Sequence, residues 1–183
     1  MGLLNIIKGA YPSLQQIDRT LPVHADAVGI VRGSCIYEDA GTFKLAQAAN
    51  AGSVAGDVIT PGAYVYFCLM DQTDLVAGMA GTIGQGVGGG VAKVTGLACS
   101  MPMEVETDQY DGTPAVGEFL TLADDGKLAT ITAATGNTAY GQVTLGVTTR
   151  WANDAVAVTG WRTGNKVNVI RFRAMYVPGL KLA

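Results

Sequence analysis

The strongest constraint on the fold is punctuation. Short runs rich in Val, Ile, Thr and aromatic residues recur along the chain, and each is closed by Gly, Asp, Asn or Pro. Such runs suit a pleated, half-buried surface and leave no room for a helix with a continuous apolar stripe. Ala63-Tyr-Val-Tyr-Phe-Cys-Leu-Met70 is the clearest strand, bounded by Pro61-Gly62 and Asp71-Gln-Thr-Asp74. Ala27–Tyr37 and Thr42–Leu45 read as a hairpin about the turn Glu38-Asp-Ala-Gly41. Further strands are expected at Val91–Ala98, Met103–Thr107, Phe119–Leu122, Lys127–Thr132, Gly141–Thr149, Asp154–Thr159 and Lys166–Arg173. A second hairpin turns at Asp124-Asp-Gly126, where the Gly supplies a positive φ. The spacing predicts an all-β fold, either a small β-barrel or a sandwich.

Two of these hairpins echo each other. Gly33–Leu45 and Gly117–Leu128 both run Gly, strand, acidic turn, Lys-Leu. A duplicated hairpin would leave such a trace, and so would any two hairpins.

Composition narrows the class. Gly, Ala, Val and Thr number 25, 25, 19 and 18, together 87 of 183 residues, while charged residues are only 15% and hydrophobic ones 49%. Ample apolar surface excludes a wholly disordered chain, and the absence of a three-residue Gly period excludes collagen. The net charge of −3 is scattered, with no basic stripe to bind phosphates, so no direct nucleic-acid partner is expected. So few charges leave much surface for burial against other subunits.

The charge deficit is concentrated. Between Leu75 and Met103 the only charged residue is Lys93, and Gly takes seven of the thirteen positions from Gly78 to Gly90. Gln85 and the Gly88-Gly89-Gly90 triplet interrupt it too often for a membrane span, so no membrane partner is expected. Residues 75–92 are read as a Gly-rich loop that orders against a partner, because Gly loses the most conformational freedom on ordering.

The chain divides into an extended N-terminal arm, residues 1–25, and a β-rich domain, residues 26–183. The arm carries an apolar head, Leu3, Leu4, Ile6 and Ile7, followed by Tyr11-Pro12 and Leu21-Pro22. Its start lacks the pattern of a signal peptide, and Ile6 stands where myristoylation needs Ser or Thr. Cys35, Cys68 and Cys99 form no CxxC pair, which predicts reduced, buried thiols and an intracellular site of synthesis.

No catalytic constellation emerges. His24 is the single histidine, too few for a His-rich metal site, and a triad would have to use it with Asp26 too near in sequence to orient it easily. No serine lies in a G-x-S-x-G frame. Gly84-Gln-Gly-Val-Gly-Gly89 matches G-x-G-x-x-G, but no helix follows to receive a pyrophosphate, so the match reflects Gly density. Glu104 and Glu106 share a strand face, which fits a glycosidase-like pair, a Ca²⁺ ligand set or a solvated face. Trp151 and Trp161 suit sugar stacking or interface packing. The chain is accordingly expected to be non-enzymatic, with no cofactor and no metal.

Several motifs lie in a familiar order. Met103-Glu-Val-Glu-Thr-Asp-Gln-Tyr110, Pro114-Ala-Val-Gly-Glu-Phe-Leu-Thr-Leu122, Asp125-Gly-Lys-Leu128, Tyr140-Gly-Gln-Val143 with Gly146-Val147, and Val169-Ile-Arg-Phe172 with Val177-Pro178 succeed one another. Over residues 100–180 this resembles tailed-bacteriophage head decoration (cement) proteins and related virion structural proteins. The resemblance implies a small β-barrel, often trimeric, that binds the outside of a mature capsid and clamps adjacent major capsid subunits. Its partners would be the major capsid protein and itself, as a homotrimer on the capsid exterior. Contact with capsid or sister subunits is expected at Leu3, Leu4, Ile6, Ile7, Tyr11, Gly84, Gly88, Trp151 and Trp161. The competing readings are another virion component, such as a tail-tube or capsid subunit, and a carbohydrate-binding β-domain using the two tryptophans.

Overall fold

The computed structural model describes residues 2, 4–8, 18–24, 27, 30–46, 65–69, 93–98, 103–131, 137–151, 166–180 and 182. Eleven strands and a 3-10 turn at Asp124–Gly126 account for the regular structure, with no α-helix among the described residues. The strands are β1 (Leu4–Lys8), β2 (Asp18–Pro22), β3 (Cys35–Asp39), β4 (Thr42–Leu45), β5 (Val65–Cys68) and β6 (Lys93–Ala98). They continue as β7 (Glu104–Thr107), β8 (Phe119–Leu122), β9 (Leu128–Thr130), β10 (Asn137–Trp151) and β11 (Lys166–Leu180). One sheet has the order β2-β6-β5-β3-β4 and the other β1-β7-β11-β10-β8-β9. Every pairing of strands within them is antiparallel. The all-β expectation holds, and between its two forms the architecture is sandwich-like, not a closed barrel.

Both expected hairpins form, but the first strand of the first begins at Cys35 and not at Ala27, because the chain turns at Arg32-Gly33. Ala40 and Gly41 turn β3 into β4 at φ 47° and 80°, and Asp125 and Gly126 turn β8 toward β9 at φ 54° and 71°. Two successive positive φ values match the right-handed twist of paired strands. The last two strands are longer than their sequence pattern suggested, forming a fifteen-residue ribbon. Bulges make this possible. Going from Gly141↔Ala174 to Ala139↔Val177 to Asn137↔Leu180, β11 twice sets three residues against two, which accommodates Pro178. The Gly-rich loop and the expected strand at 154–159 lie outside the described residues.

The two sheets repeat one design. β2 to β6 and β7 to β11 each place their five strands in the order first, fifth, fourth, second, third. In both, the chain just after the first strand makes one isolated parallel bridge to the third: Val23↔Phe43 and Tyr110↔Leu128. The loop before the second strand repeats bond for bond. Gly33 N–H donates to Cys68 O and Cys68 N–H to Ser34 O, both at 2.8 Å. Gly117 N–H donates to Val143 O and Val143 N–H to Glu118 O, again at 2.8 Å. Ser34 Oγ accepts from Val31 N–H as Glu118 Oε2 accepts from Ala115 N–H. Residues 31–35 therefore match 115–119 at a constant offset of 84, from 115 − 31 and 118 − 34. The echo between Gly33–Leu45 and Gly117–Leu128 lies on equivalent hairpins of a twofold tandem repeat. Among the strands of the described residues, β1 stands outside the pattern.

Matching registers reveal one shared packing device. Tyr66 and Gly96 in the first repeat correspond to Gly141 and Phe172 in the second. A Cβ on Gly96 would come within 2.8 Å of the Tyr66 Cβ, and one on Gly141 within 2.5 Å of Phe172 Cδ2. Each repeat thus lays an aromatic ring over a glycine across the ladder, with the two residue types exchanged. Only a glycine permits so close an approach.

The repeats stack front to back. Ile36, Phe43, Tyr66, Cys68 and Val94 line the front of the first sheet and pack with Val23 and Ile30. Cys35, Tyr37, Phe67 and Leu97, on its back, pack against Val105, Leu120, Leu128, Ile170 and Phe172 of the second sheet. Phe67 and Phe172 meet edge to face at 5.6 Å across this interface. Each such ring buried stabilises by about 1.5–3 kcal/mol, with ~0.5–1.5 kcal/mol more for the pair. Cys35 and Cys68 are both buried thiols outside any disulfide, on opposite faces, and burial pushes the Cys35 thiol far up. Cys99 lies outside the described residues.

Candidate functional site

The Glu104/Glu106 pair can now be placed. Alternation along β7 puts both on the back of the second sheet, opposite Arg173 and Arg171 respectively. Arg171 Nε and Nη2 donate to Glu106 Oε1 at 3.1 and 2.7 Å, and Arg150 Nη2 reaches the same oxygen at 2.9 Å. Thr144 Oγ1 donates to Glu104 Oε1 at 3.2 Å, and Arg171 Nε lies 3.9 Å from that oxygen. The Glu106 side chain is 2% exposed.

This arrangement fastens strands together. Two guanidiniums converge on one carboxylate oxygen, which binds β10, β11 and β7 across the sheet. Removing the arginines would strand the buried Glu106 carboxylate. The structure places an ion-pair network there, which none of the three sequence readings named, and Glu106 is buried instead of lying on a solvated face. No group of three potential metal ligands occurs among the described residues. His24 uses its backbone N–H to donate to Phe43 O, next to the isolated bridge between Val23 and Phe43.

The expected contact residues disperse. Leu4 is half-buried and packs on the main core, while Ile6 pairs with Val105 in register. Ile7 presents an exposed apolar side chain, 37% accessible. Trp151 ends β10 opposite Lys166. Leu3, Tyr11, Gly84, Gly88 and Trp161 lie outside the described residues. The arm region over 1–25 contributes β1 to one sheet and β2 to the other.

Sequence reasoning missed two sets. Arg171 was signalled by strict alternation: Ile170, Phe172 and Ala174 point inward, so Arg171 and Arg173 had to share the face of Glu104 and Glu106. Exposed apolar residues Val116, Tyr176 and Val177, with Val116 at 65%, carried no signal, since a loop Val and a strand-end Tyr look like core. No helix among the described residues is long and apolar enough to cross a membrane. Compared with family models, with curated proteins and with solved structures, the chain finds no match in any of the three.

Proposed function

We propose that the chain is a non-enzymatic virion structural protein that binds the outer surface of a tailed-phage capsid as a homotrimer and clamps adjacent major capsid subunits. One observation carries the reading. The motifs that resemble decoration proteins fall in order on successive elements of one repeat. Gly117-Glu-Phe-Leu-Thr-Leu122 enters and forms β8, Asp125-Gly-Lys-Leu128 makes the turn into β9, Gly141-Gln-Val143 lies in β10, and Val169–Phe172 with Val177-Pro178 lies in β11.

Clamping relies on area summed over many symmetric copies, and it asks for no reactive group. Ile7, Val116, Tyr176 and Val177 provide exposed apolar surface for it. The test is addition of the purified chain to expanded, undecorated heads built from the cognate major capsid protein. The expected result is stoichiometric attachment of a trimer. A monomer without affinity for heads overturns the reading, and retention on a carbohydrate matrix that Trp151→Ala abolishes would replace it with the sugar-binding alternative.

A further inference from the structure

The tandem repeat provides an internal control for β1. In the first repeat five strands make a complete unit, and among the described residues no sixth strand flanks β2. In the second repeat the same five strands carry β1 as an addition on the edge of β7. The fold does not need this strand to complete its pattern.

The attachment is also short. Leu4, Asn5, Ile6 and Lys8 pair with Thr107, Glu106, Val105 and Glu104, and the register breaks between Ile6 and Lys8. The next strand, β2, belongs to the other sheet, and residues 9–17 join the two. Nine residues reach at most on the order of 30 Å when extended, enough to cross to an adjoining molecule.

We infer that β1 is an exchanged strand, which pairs with the β7 edge of a second copy of this chain. The receiving edge is the one that already fits it: every β1–β7 contact is kept, merely made between chains, so the exchange costs little enthalpy. Leu4 then packs on the neighbour's core as it does on its own. Each copy donates one strand and accepts one, a head-to-tail relation that closes into a ring when the rotation permits. This rests on the fold alone and holds whatever the assembly binds.

The test uses full-length chains with Cys99→Ser as background. Leu4→Cys and Thr107→Cys are introduced on separate chains, mixed through a mild denaturation cycle and oxidised. A covalent heterodimer is expected, and the double variant on one chain should give covalent multimers on a non-reducing gel. Should the core-facing pair perturb folding, Lys8→Cys with Glu104→Cys reads the same edge. Quantitative intrachain disulfides in the double variants, with no interchain product on mixing, overturn the inference. Capsid attachment is not read in this experiment, so its outcome is separate from that of the decoration reading.

Discussion

The two repeats have one topology and opposite back faces. Cys35, Tyr37, Phe67 and Leu97 of the first are buried, and the equivalent residues of the second are Phe119, Thr121, Gln142 and Arg173, none of them fully buried. The backbone did not decide this. The first repeat's back lies against the second, whereas the second's back is an outer surface, so three of the four matching ladder positions took polar side chains there, Thr121, Gln142 and Arg173, with Phe119 the exception. A repeat can only be stacked if its terminal face is polar.

Reciprocal substitutions should break that comparison most visibly. Leu97→Arg puts an unpaired charge into the inter-repeat core and is expected to cost about 4 kcal/mol or more. Arg173→Leu, at the matching position, should stay within about ±0.5 kcal/mol. Urea denaturation of both variants measures the contrast, and equal losses would refute the front-to-back account.

Next in size is the polar pair that the ladders share. Thr20 and Thr95 hydrogen-bond at 2.8 Å on the first sheet where Glu106 and Arg171 form their ion pair on the second. Glu106→Ala should lose about 2–4 kcal/mol, because Arg150 and Arg171 lose their shared acceptor while staying partly solvated. Thr20→Ala, at an exposed pair, should lose at most about 1 kcal/mol. A Glu106→Leu/Arg171→Leu double variant that recovers most of the loss would show the pair to be a desolvation debt and not a net gain.

Smaller again are the ring-over-glycine contacts. Gly96→Ala and Gly141→Ala should each cost about 1–3 kcal/mol by overpacking, read as lowered melting temperatures. Equal costs would show that both repeats depend on the same device despite its exchanged residues.

The smallest effect belongs to a surface pair of the first repeat. Lys44 Nζ lies 2.7 Å from Asp39 Oδ2, and its hydrogen bond and charge hold the Asp39 carboxyl below the usual range. The folded value is depressed, so this stability is present above the ordinary carboxylate range and vanishes as pH falls through the lowered value. Lys44→Met should therefore fall slightly below wild type at neutral pH and coincide with it in strong acid. High salt should shrink the difference at neutral pH.

How much of this could be read beforehand depends on range. Ala40-Gly41 and Asp125-Gly126 were legible because a turn is written in adjacent residues. So was β5, whose Val-Tyr-Phe-Cys run is buried on both faces. The strand order was not legible. Pairing Asp18 with Leu97 joins residues on opposite sides of the Gly-rich segment, and nothing local in Asp-Arg-Thr-Leu-Pro marks it as a strand. Glu104 and Glu106 were found as a pair but not as partners of Arg171, because a sequence separation of 65 between Glu106 and Arg171 carries no register. The echo of hairpins was visible while its meaning was not, since ladder equivalence is spread over single residues such as Gly33 and Gly117.

The same topology dictates an order of events during synthesis. In each repeat the first strand pairs with the last, β2 with β6 and β7 with β11, so neither unit can close before its final strand has left the ribosome. Once Ala98 has emerged the first repeat can close, yet its apolar back has nothing to lie on until Leu180 follows. At ordinary elongation rates those eighty-two residues take about 4–16 s. Throughout that interval Phe67 and Leu97 are open to any sticky neighbour, which makes the nascent half of this molecule a natural client for chaperones.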